Sequence, residues 1–118
     1  MQELIDNLFA AIDRQDTEAF LGFIAPEATF RFGSAPPVSG HDAIGAAVSG
    51  FFGTIAGLSH EIKRTLSSGS ALVCEGEVTY TRHDASEITL PFVNVFEVAD
   101  GLVADYKIYI DIGPLYAE

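Results

Sequence analysis

Leu90-Pro-Phe-Val-Asn-Val-Phe-Glu-Val-Ala-Asp-Gly-Leu-Val-Ala-Asp-Tyr-Lys-Ile-Tyr-Ile-Asp111 is the stretch whose reading decides the fold. Two apolar runs of strand-forming residues flank Asp100-Gly101, the strongest short-range signal for a two-residue type I′ β-hairpin, because glycine accepts φ > 0 without steric cost. If residues 99 and 102 face each other across that turn, Asn94 opposes Lys107, Phe92 opposes Tyr109 and Leu90 opposes Asp111. Strand alternation then puts Phe92, Asn94, Phe96, Lys107, Tyr109 and Asp111 on one sheet face, and Val93, Val95, Tyr106, Ile108 and Ile110 on the other. The first face mixes aromatic and polar groups as a pocket wall does; the second reads as a contact surface.

Working outward, the period of two continues upstream through roughly 59–67, 71–82 and 87–99, separated by Ser67-Ser-Gly-Ser70 and His83-Asp-Ala-Ser86. Before residue 59 the period is helical. Leu4, Ile5, Leu8, Phe9 and Ile12 form the apolar side of an amphipathic helix of about three turns. Asp16 can cap a second, shorter helix with the stripe Ala19, Phe20, Phe23 and Ile24, which Pro26 ends. Thr29 to Phe32 reads as a short strand and Gly33-Ser-Ala-Pro-Pro37 as a loop. A third helix begins at Ser39 or Gly40, with the stripe Ile44, Val48, Phe51, Phe52 and Ile55. Helices first and a meander of long strands afterwards is an α+β order, and the length suits one domain, residues 1–118.

A hydrophobic fraction of 48% argues against disorder. The net charge of −11, from 17 acidic and 6 basic residues, argues against nucleic acid and anionic membrane surfaces as partners. A single cysteine, Cys74, leaves no internal disulfide and no Cys-based metal cluster. The start of the chain lacks the basic segment and apolar run of a signal peptide, and no stretch approaches a membrane span, so a cytoplasmic protein is expected. His41, His60 and His83 fall at a helix start, a strand start and a hairpin turn, without a His-x-His or His-x3-His pair. No metal and no cofactor is expected.

Phe23-Ile-Ala-Pro-Glu-Ala-Thr29, Ser39-Gly-His-Asp-Ala-Ile44, Val73-Cys-Glu-Gly-Glu77 and the Asp100-Gly-Leu-Val…Tyr109-Ile-Asp111 ending span nearly the whole chain in a telling order. In these strings the chain resembles the SnoaL-like, polyketide cyclase-like branch of the nuclear transport factor 2-like superfamily. The resemblance implies a cystatin-like cone, in which a strongly curved mixed or antiparallel sheet holds three N-terminal helices in its concave face and leaves a cavity, commonly in a dimer. Members include polyketide cyclases, ketosteroid isomerases, limonene epoxide hydrolases and binding domains without chemistry, so the fold does not settle function.

The resemblance also narrows the chemistry. The ketosteroid isomerase base position falls near Phe32 and its tyrosine near Leu8, neither able to do that work; its acid position falls at Asn94, which can still donate a hydrogen bond to an oxygen. The epoxide hydrolase Arg-x-Asp pair is matched by Glu75 and Glu77 and its last-strand Asp by Asp111, so the arginine that would hold one carboxylate ionised beside the other is missing. A cyclase-type aldol step needs only one acid/base in a shaped apolar cavity, which Asp111, Glu77 or His60 could supply.

The candidate catalytic residues are therefore Asp111 and Glu77. Asp111 shares a face with Tyr109 and requires burial or a carboxylate neighbour to act as a base; its plain alternative is a strand-end Asp in solvent or bonded to Lys107. A two-residue turn at Asp84-Ala85 sets Glu77 opposite Phe92 on the pocket side, whereas a three-residue turn puts it outside. The candidate ligand-binding residues are Tyr109, Asn94, His60, Phe92, Phe96 and Lys107, with His60 at the cavity wall as proton shuttle or donor, or merely packed. The expected function is binding of a small hydrophobic molecule, with cofactor-free isomerisation, cyclisation or hydration of a carbonyl-type substrate; the alternative is a non-catalytic binding or interaction domain. A cavity of at least ~300 Å³ with two inward polar groups favours the first. A homodimer is expected through Val93, Val95, Tyr106, Ile108 and Ile110.

Overall fold

A computed structural model describes residues 1–117 of the 118-residue chain. Its elements are α1 (Gln2–Asp13), α2 (Thr17–Leu21), β1 (Ile24–Phe32), β2 (Val38–Ser39), α3 (His41–Phe52), β3 (Gly57–Ser68), β4 (Ala71–Thr81), β5 (Glu87–Ala99), β6 (Leu102–Tyr109) and α4 (Gly113–Tyr116). One curved, mixed sheet runs in the order β2-β1-β6-β5-β4-β3, with β1 and β6 parallel and the other pairs antiparallel. The long meander and the helices preceding it are as the periodicities predict.

α1 buries Ile5, Leu8, Phe9, Ala11 and Ile12. They meet Phe20 of α2, Ile44 and Val48 of α3, and Phe92, Phe96 and Tyr106 of the sheet in one core. Asp16 caps α2 by accepting the Ala19 N–H at 3.0 Å. That helix stops before Pro26, however. The Phe23 carbonyl accepts the Val103 N–H and Ile24 pairs with Val103, so β6 draws the chain into β1 two residues before the proline. Pro26 itself lies in a bulge between Ile24 and Thr29, where no ladder N–H is required of it. The two-residue β2 and the short α4 are additions that no periodicity announces.

The hairpin closes as expected: Asp100 and Gly101 have φ of 54° and 76°, the type I′ signature, and Ala99 faces Leu102. Val98 still faces Val103, but the next pair is Glu97 with Asp105, leaving Ala104 as an extra residue in a β-bulge. From there Phe96 faces Tyr106, Asn94 faces Ile108 and Val93 faces Tyr109. One inserted residue turns the rest of β6 over. Tyr106 is 2% exposed and Tyr109 57%. Lys107 and Tyr109 therefore stand on the outer face, not beside Asn94, and Asp111 lies exposed beyond the end of β6. The expected dimer face is split for the same reason: Val93 and Val95 share the outer surface with Lys107 and Tyr109, while Tyr106, Ile108 and Ile110 line the interior.

The β4–β5 turn supplies the second correction. Arg82 N–H donates to the Ser86 carbonyl at 2.8 Å around a three-residue loop, His83-Asp84-Ala85, with Ala85 at φ 74°. Glu77 then faces Pro91, and Gly76 faces Phe92. Glu77 is outside. Among the described residues no helix is long and apolar enough to cross a membrane.

Candidate functional site

Between the helices and the concave side of the sheet lies a cavity of about 220 Å³. Its walls are apolar, set by Phe30, Phe32, Phe51, Phe92, Ile108 and Ile110 among others, and four polar side chains interrupt them: His60, Tyr80, Asn94 and Tyr106. The volume is short of ~300 Å³, but the inward polar groups exceed two. By scaling from the ~150 Å³ that accommodates benzene, it suits roughly nine or ten non-hydrogen atoms.

His60 is placed by the alternation of β3, on which Glu61 and Lys63 are exposed. Its Nδ1 lies 2.6 Å from Asp13 Oδ1, and its backbone N–H donates to Asp13 Oδ2 at 3.1 Å. A carboxylate can only accept, so Nδ1 carries a proton, and the tautomer this contact selects for the neutral ring has its lone pair on Nε2. The ring is packed between Phe9 and Phe92, at centroid distances of 5.0 and 5.3 Å, which restricts its rotation. Asp13 is not among the residues the sequence points to, because it lies outside the apolar stripe of α1. A signal was present: Asp13 follows the inward Phe9 by four residues, hence by one turn, on the border of the apolar stripe.

Asn94 is 1% exposed, and its Nδ2 donates to the Tyr106 hydroxyl over a long 3.4 Å. Its Oδ1 is buried without a hydrogen-bond partner among the described residues. Phe96 lies beneath the cavity rather than on it, its ring tilted against that of Tyr106 at a centroid distance of 4.5 Å. Burial pushes the phenols of Tyr80 and Tyr106 well above the ordinary tyrosine range, so both are hydrogen-bond donors rather than acids. Burial likewise raises the Cys74 thiol. Tyr80 and Tyr106 are cavity residues that sequence reasoning missed, Tyr106 because the bulge reversed its face.

The remaining sequence candidates do come together, but on the opposite side of the sheet. Glu75, Glu77, Tyr109 and Asp111 line an open outer groove with Lys63 and Val93. There Lys63 Nζ meets Glu77 Oε1 at 3.0 Å, and that hydrogen bond raises the ammonium's pKa. Lys107 is taken up by Asp105 at 3.1 Å. Asp111 Oδ1 accepts the Gly113 N–H at 3.1 Å, a turn contact that starts α4. None of Glu77, Lys107, Tyr109 and Asp111 lines the cavity, whereas His60, Phe92 and Asn94 do. Among the described residues no three His, Cys, Asp or Glu side chains gather where they could hold a metal ion.

The family profile of the SnoaL-like domain matches residues 5–106. The chain belongs to the SnoaL-like domain family. No curated protein sequence matches this SnoaL-like protein. Among solved structures it is similar to an NTF2-like protein of unknown function from Burkholderia pseudomallei, at TM-score 0.85 and 20% identity, covering 97% of this chain and 92% of that one. It is similar to TerC, co-crystallised with polyporic acid, at TM-score 0.85 and 19% identity over 98% and 94% of the two chains. A Mycobacterium tuberculosis epoxide hydrolase of the LEH-like type is also similar, at TM-score 0.79 and 16% identity over 93% and 81%. These likenesses bear on the fold: an NTF2-like cone.

Proposed function

We propose that this SnoaL-like protein binds an uncharged hydrophobic molecule of carbonyl type in the inner cavity and moves a proton on it without a cofactor. His60 is the base and Asp13 orients it. One observation carries this reading: the 2.6 Å contact to Asp13 takes up Nδ1 and so selects, for the neutral imidazole, the tautomer with its lone pair on Nε2, in a ring that lines the cavity. Nε2 takes the proton from a carbon beside the carbonyl, the C–H electron pair forms the new C=C bond, and the carbonyl π pair moves to oxygen. The imidazolium then returns a proton. Isomerisation and aldol cyclisation share this first step. His60 replaces Asp111 and Glu77 in the role because those carboxylates lie across the sheet. TerC, co-crystallised with polyporic acid, is consistent with a small organic ligand.

The test needs no native substrate. 2-Indanone, with ten non-hydrogen atoms, is incubated with protein in D2O and its α-hydrogen exchange followed by proton NMR. Wild type accelerates exchange over buffer, and His60→Gln removes about 10²-fold or more of that acceleration while the ketone still binds. Equal exchange in His60→Gln would falsify the assignment. A volume below ~300 Å³ favours a second reading, ligand binding without chemistry. Saturable binding without accelerated exchange establishes it.

A further inference from the structure

We infer that the Tyr80 hydroxyl is the donor that receives the ligand's carbonyl oxygen, so that the cavity selects a neutral ring ketone over its oxygen-free counterpart. The inference rests on the proposed role of His60 as base and names the group that complements it.

Register places the two residues together. On the β3–β4 ladder His60 pairs with Val78 and Leu58 with Tyr80, so Tyr80 is the diagonal inward neighbour of His60. Such neighbours lie roughly 7–8 Å apart, within reach of one aromatic side chain and one imidazole acting on the same small molecule. Tyr80 is 3% exposed and lines the cavity, yet its hydroxyl makes no hydrogen bond among the described residues. Among the described residues Asn94 Oδ1 is the one fully enclosed side-chain polar atom without a partner, so the Tyr80 hydroxyl keeps some access to open space. Asn94 Nδ2 donates to the Tyr106 hydroxyl oxygen and His60 Nδ1 is held by Asp13, so neither of those N–H groups is as open to a ligand as the Tyr80 hydroxyl. Phe51 packs edge-on against the Tyr80 ring at 5.6 Å, which limits where the hydroxyl can swing.

Among the described residues the lining contains no lysine, arginine, aspartate or glutamate to pair with a carboxylate or phosphate entering it. A neutral carbonyl suits it. Burial keeps the Tyr80 phenol protonated, with Tyr116 and then Asp13 adding to the effect. Tyr80 donates its hydrogen bond without giving up its proton. As His60 removes the neighbouring carbon's proton, charge accumulates on the oxygen that Tyr80 holds, and that contact strengthens.

Dissociation constants of 2-indanone and of indane, its oxygen-free counterpart, are compared by ligand-observed NMR in wild type, Tyr80→Phe, Tyr106→Phe and His60→Gln. Wild type is expected to bind the ketone about tenfold tighter than indane, the worth of one buried hydrogen bond. Tyr80→Phe brings the two within about threefold while indane affinity stays, and slows α-exchange. Tyr106→Phe and His60→Gln keep the preference, and His60→Gln alone loses exchange without losing it. A ketone preference that survives in Tyr80→Phe, or that disappears in Tyr106→Phe instead, overturns the role of Tyr80 and leaves His60 standing. Unchanged exchange in His60→Gln with lost preference in Tyr80→Phe does the reverse. Failure of both ligands to bind wild type overturns both.

Discussion

Replacing Asn94 by leucine together with Tyr106 by phenylalanine is expected to make the protein more stable. Asn94 Oδ1 is buried with no partner, a state that costs about 1–3 kcal/mol. The double substitution abolishes that cost and removes both partners of the 3.4 Å contact, so no new orphan is left and the loss is no more than roughly 0.5 kcal/mol. Leucine matches asparagine in its number of side-chain heavy atoms and borders the 220 Å³ cavity, so overpacking is avoided. The net is a gain of about 1–2 kcal/mol, or a rise in Tm of roughly 4–8 °C for a domain of this size. Thermal unfolding followed by circular dichroism, and urea unfolding at fixed pH, measure it. A Tm lower than wild type would refute the reasoning, since it would mean that Oδ1 is satisfied in the folded protein.

Ala85, at φ 74° in the β4–β5 turn, holds a conformation that favours glycine. Ala85→Gly should stabilise by about 0.5–1 kcal/mol, read as a shift in urea midpoint; a loss of stability would show that the turn geometry differs. For Tyr80 and Tyr106 the folded pKa values are raised, so above about pH 10 the unfolded chain releases protons that the folded chain keeps. Their contribution to stability is complete below that pH and is lost as pH rises beyond it. Absorbance at 295 nm should show two of the four tyrosines still un-ionised past the ordinary phenol range while circular dichroism reports an intact fold. A single wave containing all four with the fold intact would contradict their burial.

The fold was legible because its signals are local and redundant. The α1 stripe, the Asp16 cap and the Asp100-Gly101 turn each depend on a few neighbouring residues, and all agree with the observed elements. The cavity wall was legible on β5 and β3, where alternation runs unbroken from Phe92 to Phe96 and from Leu58 to Ile62. It failed on β6. The bulge at Ala104 carries no glycine or proline marker; it arises where β6 pairs on one edge with β5 and on the other with the bulged start of β1, a tertiary condition. The residues nevertheless held a hint. The unbulged register sends Lys107 and Asp111 inward and Tyr106, Ile108 and Ile110 outward, against the direction that burial favours. Asp13 needed a contact between residues 47 apart, which no spacing rule reaches.

The single unmatched residue at Ala104 also bears on how this chain is compared with its relatives. A gapless alignment across β6 to a protein without the bulge sets an outward side chain beside an inward one at every position from 105 onward. Asp111, matched in that way to a last-strand aspartate, inherits a role whose place in space is held here by the other parity. Transfer of function through this strand is therefore a question of phase. A relative's inward residue at the column of Lys107 or Tyr109 corresponds, in this chain, to Tyr106, Ile108 or Ile110.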